Sequence, residues 1–181
     1  MARFLHKTTK QWHDDDGTGD LGPDYLRNPD LSAVAGVPQS RWVVDGDAVR
    51  APNEQELAAF VAAELIEAKV AKCRAIDSRS AALISTAAVV VNGESISASH
   101  AAQTNMLALE AKRQRDGLTY PVEISATNGE AYQIVDESDF IRVSTLVLGY
   151  VKGVLDTGRA LRVQVLTCST VEAVAAVEDN R

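Results

Sequence analysis

The chain has 181 residues, of which 46% are hydrophobic and only 5% aromatic, and it carries a net charge of −7. That length suffices for one domain with a core, or for a small domain with an extended arm. The acidic balance argues against a general nucleic-acid binder, because such proteins neutralise phosphates with clustered Lys and Arg.

The nearest basic cluster, Lys112-Arg113-Gln114-Arg115, falls at the end of a predicted helix, where the helix dipole accounts for it. No apolar run approaches the ~18 residues of a membrane span, and no secretory hydrophobic stretch opens the chain. Neither nucleic acid nor a membrane is therefore an expected partner, and synthesis in the cytoplasm is the expectation. Cys73 and Cys168 form no metal-binding spacing and no disulfide framework, so both are read as small buried hydrophobes.

Residues 1–52 are read as an extended N-terminal arm ending in a short β-hairpin. Phe4, Leu5 and Trp12 stand isolated, and the stretch from His13 to Pro23 has no hydrophobic period. Gly17-Thr18-Gly19-Asp20-Leu21-Gly22 has the letters of a dinucleotide fingerprint. It lacks the context: no strand precedes it, Pro23 and Asp24 follow where a helix should run, and nearby aspartates would repel a pyrophosphate. His13 with Asp14 to Asp16 does not make a cation site either, since consecutive residues in a loop do not converge as ligands. Further on, Arg41-Trp42-Val43-Val44-Asp45-Gly46-Asp47-Ala48-Val49-Arg50 reads as two short strands around an Asp-Gly turn, anchored by Trp42.

Residues 53–85 are read as a long connecting helix. Asn53 caps it and Glu56 reaches back in capping-box fashion, with Leu57, Val61, Leu65 and Ala68 on one face. Asp77-Ser78-Arg79-Ser80 is expected to interrupt it. A helix of this length without a clear C-terminal cap points to helix association between subunits.

Residues 86–181 are read as a hairpin-helix-hairpin-helix module, which makes the fold class α+β. Ala87 to Val91 and Glu94 to Ile96 flank the Asn92-Gly93 turn, and Ser97 or Ser99 caps a helix closed by Gly117. A strand from Leu118 to Ser125 contains Pro121, and Asn128-Gly129 turns it back into Glu130 to Val135. The last and organising helix is predicted from Asp136 to about Asn180. Its heptad runs Phe140, Val147, Val154, Leu161, Cys168 and Ala175. Gly149, Gly153 and Gly158 each cost about 1 kcal/mol relative to Ala, which suggests a kink or a close approach of another backbone.

No catalytic constellation stands out. Gly93-Glu94-Ser95-Ile96-Ser97 misses the nucleophile elbow, which needs Gly at position 97. His100 lies near Ser97 and Ser99, but a histidine at a helix start beside serines is accounted for by capping and solvent contact. No catalytic residue, cofactor site or metal site is assigned, and the chain is read as non-enzymatic.

The module carries a resemblance. Val90-Val91-Asn92-Gly93-Glu94-Ser95-Ile96-Ser97-Ala98-Ser99, a helix closed by Gly117, Tyr120-Pro121-Val122, and Asn128-Gly129 leading to Asp136 and a long helix with Arg159 and Arg162 recur as a pattern. It resembles the uncharacterised C-terminal domain of bacteriophage tail, tail-fibre and related virion proteins. The front half, with its Asn28-Pro29 stretch and the Trp42-to-Asp47 hairpin, is similar to the front of such proteins.

The resemblance implies a structural subunit of a virion, in the tail, baseplate, collar or fibre-attachment region. Its partners would be other phage tail or virion proteins and copies of itself, and no catalytic residues are carried over. A cytosolic tail-fibre assembly factor, absent from the finished particle, is the alternative. A small enzyme or ligand-binding domain is the third reading, which a polar pocket would favour.

Overall fold

The computed structural model describes residues 2–14, 19 and 21–181. Backbone contacts group the chain into two compact units, Met1–Ile66 and Glu67–Arg181. Both combine helix with small antiparallel sheets, so the α+β class holds. The division between them falls inside the first long helix, α1 (Glu54–Ser85), and not at either of its ends.

The first unit differs from the extended arm read from sequence. Strands β1 (Arg3–His6), β2 (Trp12–Asp14) and β3 (Tyr25–Arg27) form a sheet of order β2-β1-β3, antiparallel throughout, with Leu5 opposite both Trp12 and Leu26. Leu5, Leu26, Val34 and Val49 are buried together, with Trp12, Trp42 and Val44 packed against them. Strands of three or four residues hold too few alternations to show a period, which is why they escape a pattern reading. The expected hairpin is present as β4 (Val43–Asp45) and β5 (Ala48–Arg50). Trp42 anchors it as expected, donating its indole N–H to Val37 O at 2.9 Å.

Asn53 and Glu56 close the expected capping box at the start of α1. Each side chain accepts from the other residue's backbone N–H at 2.8 Å. Arg50 clamps the same Glu56 at 2.7 and 2.8 Å, and Arg41 grips Glu64 at 3.2 and 2.7 Å, fastening the helix to the hairpin region.

In the second unit α1 runs straight through Asp77-Ser78-Arg79-Ser80, where an interruption was expected. Ser80 is buried and returns its hydroxyl to Ile76 O at 2.9 Å, so the polar residue satisfies itself on the helix backbone. Both expected hairpins form: β6 (Ala88–Val91) with β7 (Glu94–Ser97), and β8 (Val122–Ser125) with β9 (Ala131–Ile134). Asn92 and Gly93 both take positive φ, 53° and 89°, as the tight turn requires. The Tyr120–Pro121 bond ahead of β8 is cis.

Helix α2 (His100–Asp116) begins on Ser99, whose hydroxyl accepts from Ala102 N, and ends on Gly117 at φ 75°. Met106 is its buried residue, while Leu107 stays 59% exposed. The final helix is shorter than read from sequence. Helix α3 (Glu137–Thr167), capped by Asp136, stops before Cys168, whose backbone is extended. Thr170 then caps a separate short helix, α4 (Val171–Ala175), by accepting from Ala173 N at 3.1 Å. The heptad is right at Phe140 and Val147, both fully buried, but Val174 rather than Ala175 is the buried residue of α4. The fuller stripe is Phe140, Val143, Val147, Val151, Gly158 and Val165, which keeps the helical period of three and four.

The core of this unit gathers Val91, Ile96, Met106, Ile134, Phe140, Val143 and Val147, with Tyr132 at its edge. Beyond that core, α3 lies antiparallel to the second half of α1. Lys69 Nζ donates to Leu166 O at 2.8 Å, Arg162 meets Asp77 at 3.3 Å, and Gly158 faces Ser80. At Gly158 the close approach is made by side chains, not by the other backbone expected from sequence. A Cβ built there would lie 2.8 Å from Ser80 Oγ and 2.9 Å from Arg181 Nη1, whereas Gly149 and Gly153 have open space.

Candidate functional site

The polar side chains singled out from sequence do not converge. His13 is exposed on β2 with its ring edge-on to Tyr25, and Asp14 reaches Arg3 at 3.8 Å. Asp15, Asp16, Gly17, Thr18 and Asp20 lie outside the described residues. Ser97 Oγ and Ser99 Oγ are 3.0 Å apart, while His100 is exposed and outside that pair. The basic cluster closes on local acids: Arg113 bridges Glu110 and Glu137 at 2.7 Å each, and Arg115 meets Asp116 at 2.8 Å. Cys73 and Cys168 are free thiols and half-buried, less enclosed than expected. Among the described residues, no cluster of His, Cys, Asp or Glu could hold a metal ion, and no helix is long and apolar enough to cross a membrane.

A polar cluster that the sequence reading missed joins the β6–β7 turn, β9 and α3. Asp139 is 6% exposed and accepts from Tyr132 Oη at 3.1 Å, Val135 N at 3.3 Å and Arg142 Nη2 at 2.5 Å. Asn92 completes the ring, donating to Tyr132 Oη at 3.1 Å and accepting from Arg142 Nη1 at 2.8 Å. A cavity of about 440 Å³ opens beside these groups.

Burial pushes the Asp139 carboxyl up, but hydrogen bonds from Arg142, Val135 N and Tyr132 outweigh it and hold the group below its ordinary value. Burial pushes the Tyr132 hydroxyl up, and its bond to Asp139 adds to that. At neutral pH the carboxylate is thus charged and the phenol protonated. The members bond to one another, so the cluster ties three elements together. Its sequence signal was local: Asp139 lies three residues after the capping Asp136 and three before Arg142.

Arg181, also missed, packs its guanidinium against α1 and α3. It donates to Ser80 Oγ and Val154 O at 2.9 Å and to Ile76 O at 3.2 Å, with Asp179 bound at 2.6 and 2.7 Å. The bare Cα of Gly158 makes the room.

Next to this latch a groove of about 590 Å³ runs between the carboxyl-terminal part of α1 and the middle of α3. Ala81, Ile84 and Leu155 supply its apolar lining, and Arg159, Arg162, Asp77 and His100 stand at its edges. Arg162 pairs with Asp77 and Arg159 with Asp156, each at 3.3 Å and each exposed to solvent.

Helix faces are the remaining candidate. In the first unit Leu57 and Val61 of α1 are 40% and 48% exposed, although they belong to the apolar stripe expected to be covered. On α3, Ile141, Leu148, Leu155 and Leu166 are also exposed, flanking the buried stripe. Isolated surface leucines need no explanation, but apolar residues in register along a helix are the usual mark of a contact face. Compared with protein-family models, with curated proteins and with solved structures, the chain matches none of them.

Proposed function

We propose that this chain is a non-enzymatic structural subunit of a bacteriophage virion, in its tail, baseplate, collar or fibre-attachment region. It docks onto neighbouring tail proteins and onto copies of itself through its long helices and its N-terminal unit. The observation that carries the reading is the apolar register of α1, where Leu57 and Val61 stay in water although Asn53 and Glu56 cap the helix rigidly beneath them. The resemblance of the hairpin-helix-hairpin-helix module to virion domains names the setting.

Peptide mass spectrometry on gradient-purified particles tests this directly. Recovery at a constant, near-integer ratio to the other tail proteins is the expected result. Abundance in the lysate with absence from particles would reject it in favour of an assembly factor that leaves before completion.

A further inference from the structure

The groove between α1 and α3 has the opposite character to the amino-terminal half of α1. Between Glu54 and Ile66 the chain carries Glu54, Glu56 and Glu64 and no Lys or Arg. Glu54, Leu57, Val61 and Glu64 follow at steps of three, four and three, which puts two exposed apolar side chains between two carboxylates on one helix face. Arg41 holds Glu64 from the side, leaving that carboxylate 45% exposed, and Glu54 has no ion-pair partner among the described residues.

Across the groove, Ala81 and Ile84 on one wall and Leu155 on the other form an apolar trough between antiparallel helices. Arg159 and Arg162 stand along one edge, each beside one acid, Asp156 and Asp77, at 3.3 Å, and their side chains stay 78% and 48% exposed, with donors left for a further carboxylate. Two packed helices with a trough between them present ridges on which a third helix seats.

We infer that this groove receives the amino-terminal half of α1 from a second copy of the chain. Leu57 and Val61 lie against Ile84 and Leu155, and Glu54 and Glu64 lie toward Arg159 and Arg162. The occupant is a second copy because the chain itself supplies the matching face, apolar in the middle and acidic at both ends. Stripe and groove are different surfaces, so the contact is heterologous: each copy offers its stripe forward and its groove behind, which generates a ring or a filament. The charged pairs at the rim give the contact its direction and weaken it as salt rises. The inference rests on the self-associating structural role proposed above.

A mixing experiment separates the two. One variant, Leu155→Glu with Arg159→Glu, spoils the groove and keeps the stripe. The other, Leu57→Glu with Val61→Glu, spoils the stripe and keeps the groove. All four residues are exposed, and circular dichroism checks that each variant retains its helix. Where the groove variant loses helix, Arg159→Glu alone replaces it.

Light scattering is run on the wild type, on each variant and on an equimolar mixture. The expected result is a wild type that associates, and variants that stay monomeric to concentrations at least about tenfold higher. The mixture is expected to form a dimer of twice the 19.4 kDa chain and nothing larger, since only one good stripe and one good groove can meet. A mixture that stays monomeric, or a variant that associates alone, overturns the groove contact while leaving self-association standing. A wild type that is monomeric throughout overturns both.

Discussion

Replacing Gly158 by alanine sets two effects of known sign against each other on one helix. In a helix interior alanine is favoured over glycine by about 1 kcal/mol, because glycine loses more backbone freedom on folding. At position 158 the new methyl would lie 2.8 Å from Ser80 Oγ and 2.9 Å from Arg181 Nη1, closer than real contacts allow. Arg181 is long and can withdraw, but in doing so it gives up Ser80 Oγ, Val154 O and Ile76 O and keeps only Asp179. Hydrogen bonds from a charged donor are worth about 1.5–3 kcal/mol each when buried, and overpacking costs about 1–3 kcal/mol. Ser80 has less room to yield, since its own hydroxyl is bonded to Ile76 O.

Overpacking alone offsets the helix gain, and each Arg181 bond given up adds to the loss, so Gly158→Ala is expected to destabilise the second unit by about 2 kcal/mol or more. Gly149→Ala and Gly153→Ala meet open space and are expected to stabilise by up to about 1 kcal/mol each. Urea unfolding read by far-UV circular dichroism is the assay, because both tryptophans lie in the first unit and their fluorescence would miss the second. Adding Arg181→Ala should make Gly158→Ala cost less than it does alone, a coupling of neighbours. A Gly158→Ala protein as stable as its Gly149→Ala counterpart would refute the close-packing argument.

The core and the charge network make further demands. Phe140→Ala removes a fully buried side chain and is expected to cost about 3–5 kcal/mol, against less than about 0.5 kcal/mol for the exposed Leu57→Ala; equal urea midpoints would contradict this. Asp139→Ala strands Tyr132, Val135 N and Arg142 and is expected to cost about 2–4 kcal/mol, while Tyr132→Phe removes one donor and costs about 1 kcal/mol; the reverse order in chemical denaturation would show that the cluster is not centred on the carboxylate. Glu110 is held at about 2 by hydrogen bonds from Arg113 and then Gln114, below the range of an unfolded glutamate. Its contribution is therefore complete above about pH 4.3 and is lost as pH falls from there toward 2, so Glu110→Gln should flatten the acid limb of a stability profile between those values and leave it unchanged in shape above pH 5. An acid limb unaltered by that substitution would mean that the Arg113 contact is not formed in solution.

Local signals carried the second unit far. Asn92-Gly93, Asn128-Gly129, Ser99, Gly117 and Asp136 each have one favoured backbone role, so hairpins and helix starts could be placed without tertiary information. The capping box at Asn53 is the same kind of evidence. Three features resisted for physical reasons. The β2-β1-β3 sheet consists of strands too short for a period, and it depends on Leu5 meeting Leu26 across 21 residues of chain. The break before α4 is marked by Thr170 alone, while the apolar spacing continues past it and imitates a longer helix. Asp77 to Ser80 looks like a breaker because its residues are polar, yet Asp77 finds Arg162 and Ser80 finds Ile76 O. The polar cluster around Asp139 was legible only in its i,i+3 pair with Arg142, because Asn92 and Tyr132 join it only once both hairpins are folded.

The balance of forces on α1 bears on how such a subunit would work. Along α3 the stripe from Phe140 to Val165 is covered within the unit, while Leu155 beside it stays exposed in the groove. On the amino-terminal half of α1, Leu57 and Val61 are each a little under half exposed, and covering both gains only about 1–2 kcal/mol of transfer free energy. Rim pairs such as Glu54 with Arg159 add about 0–1 kcal/mol apiece, being solvated. The groove's Ala81, Ile84 and Leu155 are covered in the same contact, so a single pairing is weak and shows only at high protein concentration. Through the contact inferred above, the chain would pair weakly and assemble strongly only where contacts close into a ring or are held by an existing neighbour, because each further contact is then intramolecular. That is the behaviour wanted of a subunit that must stay dispersed while it accumulates and lock in place when the surrounding structure presents it.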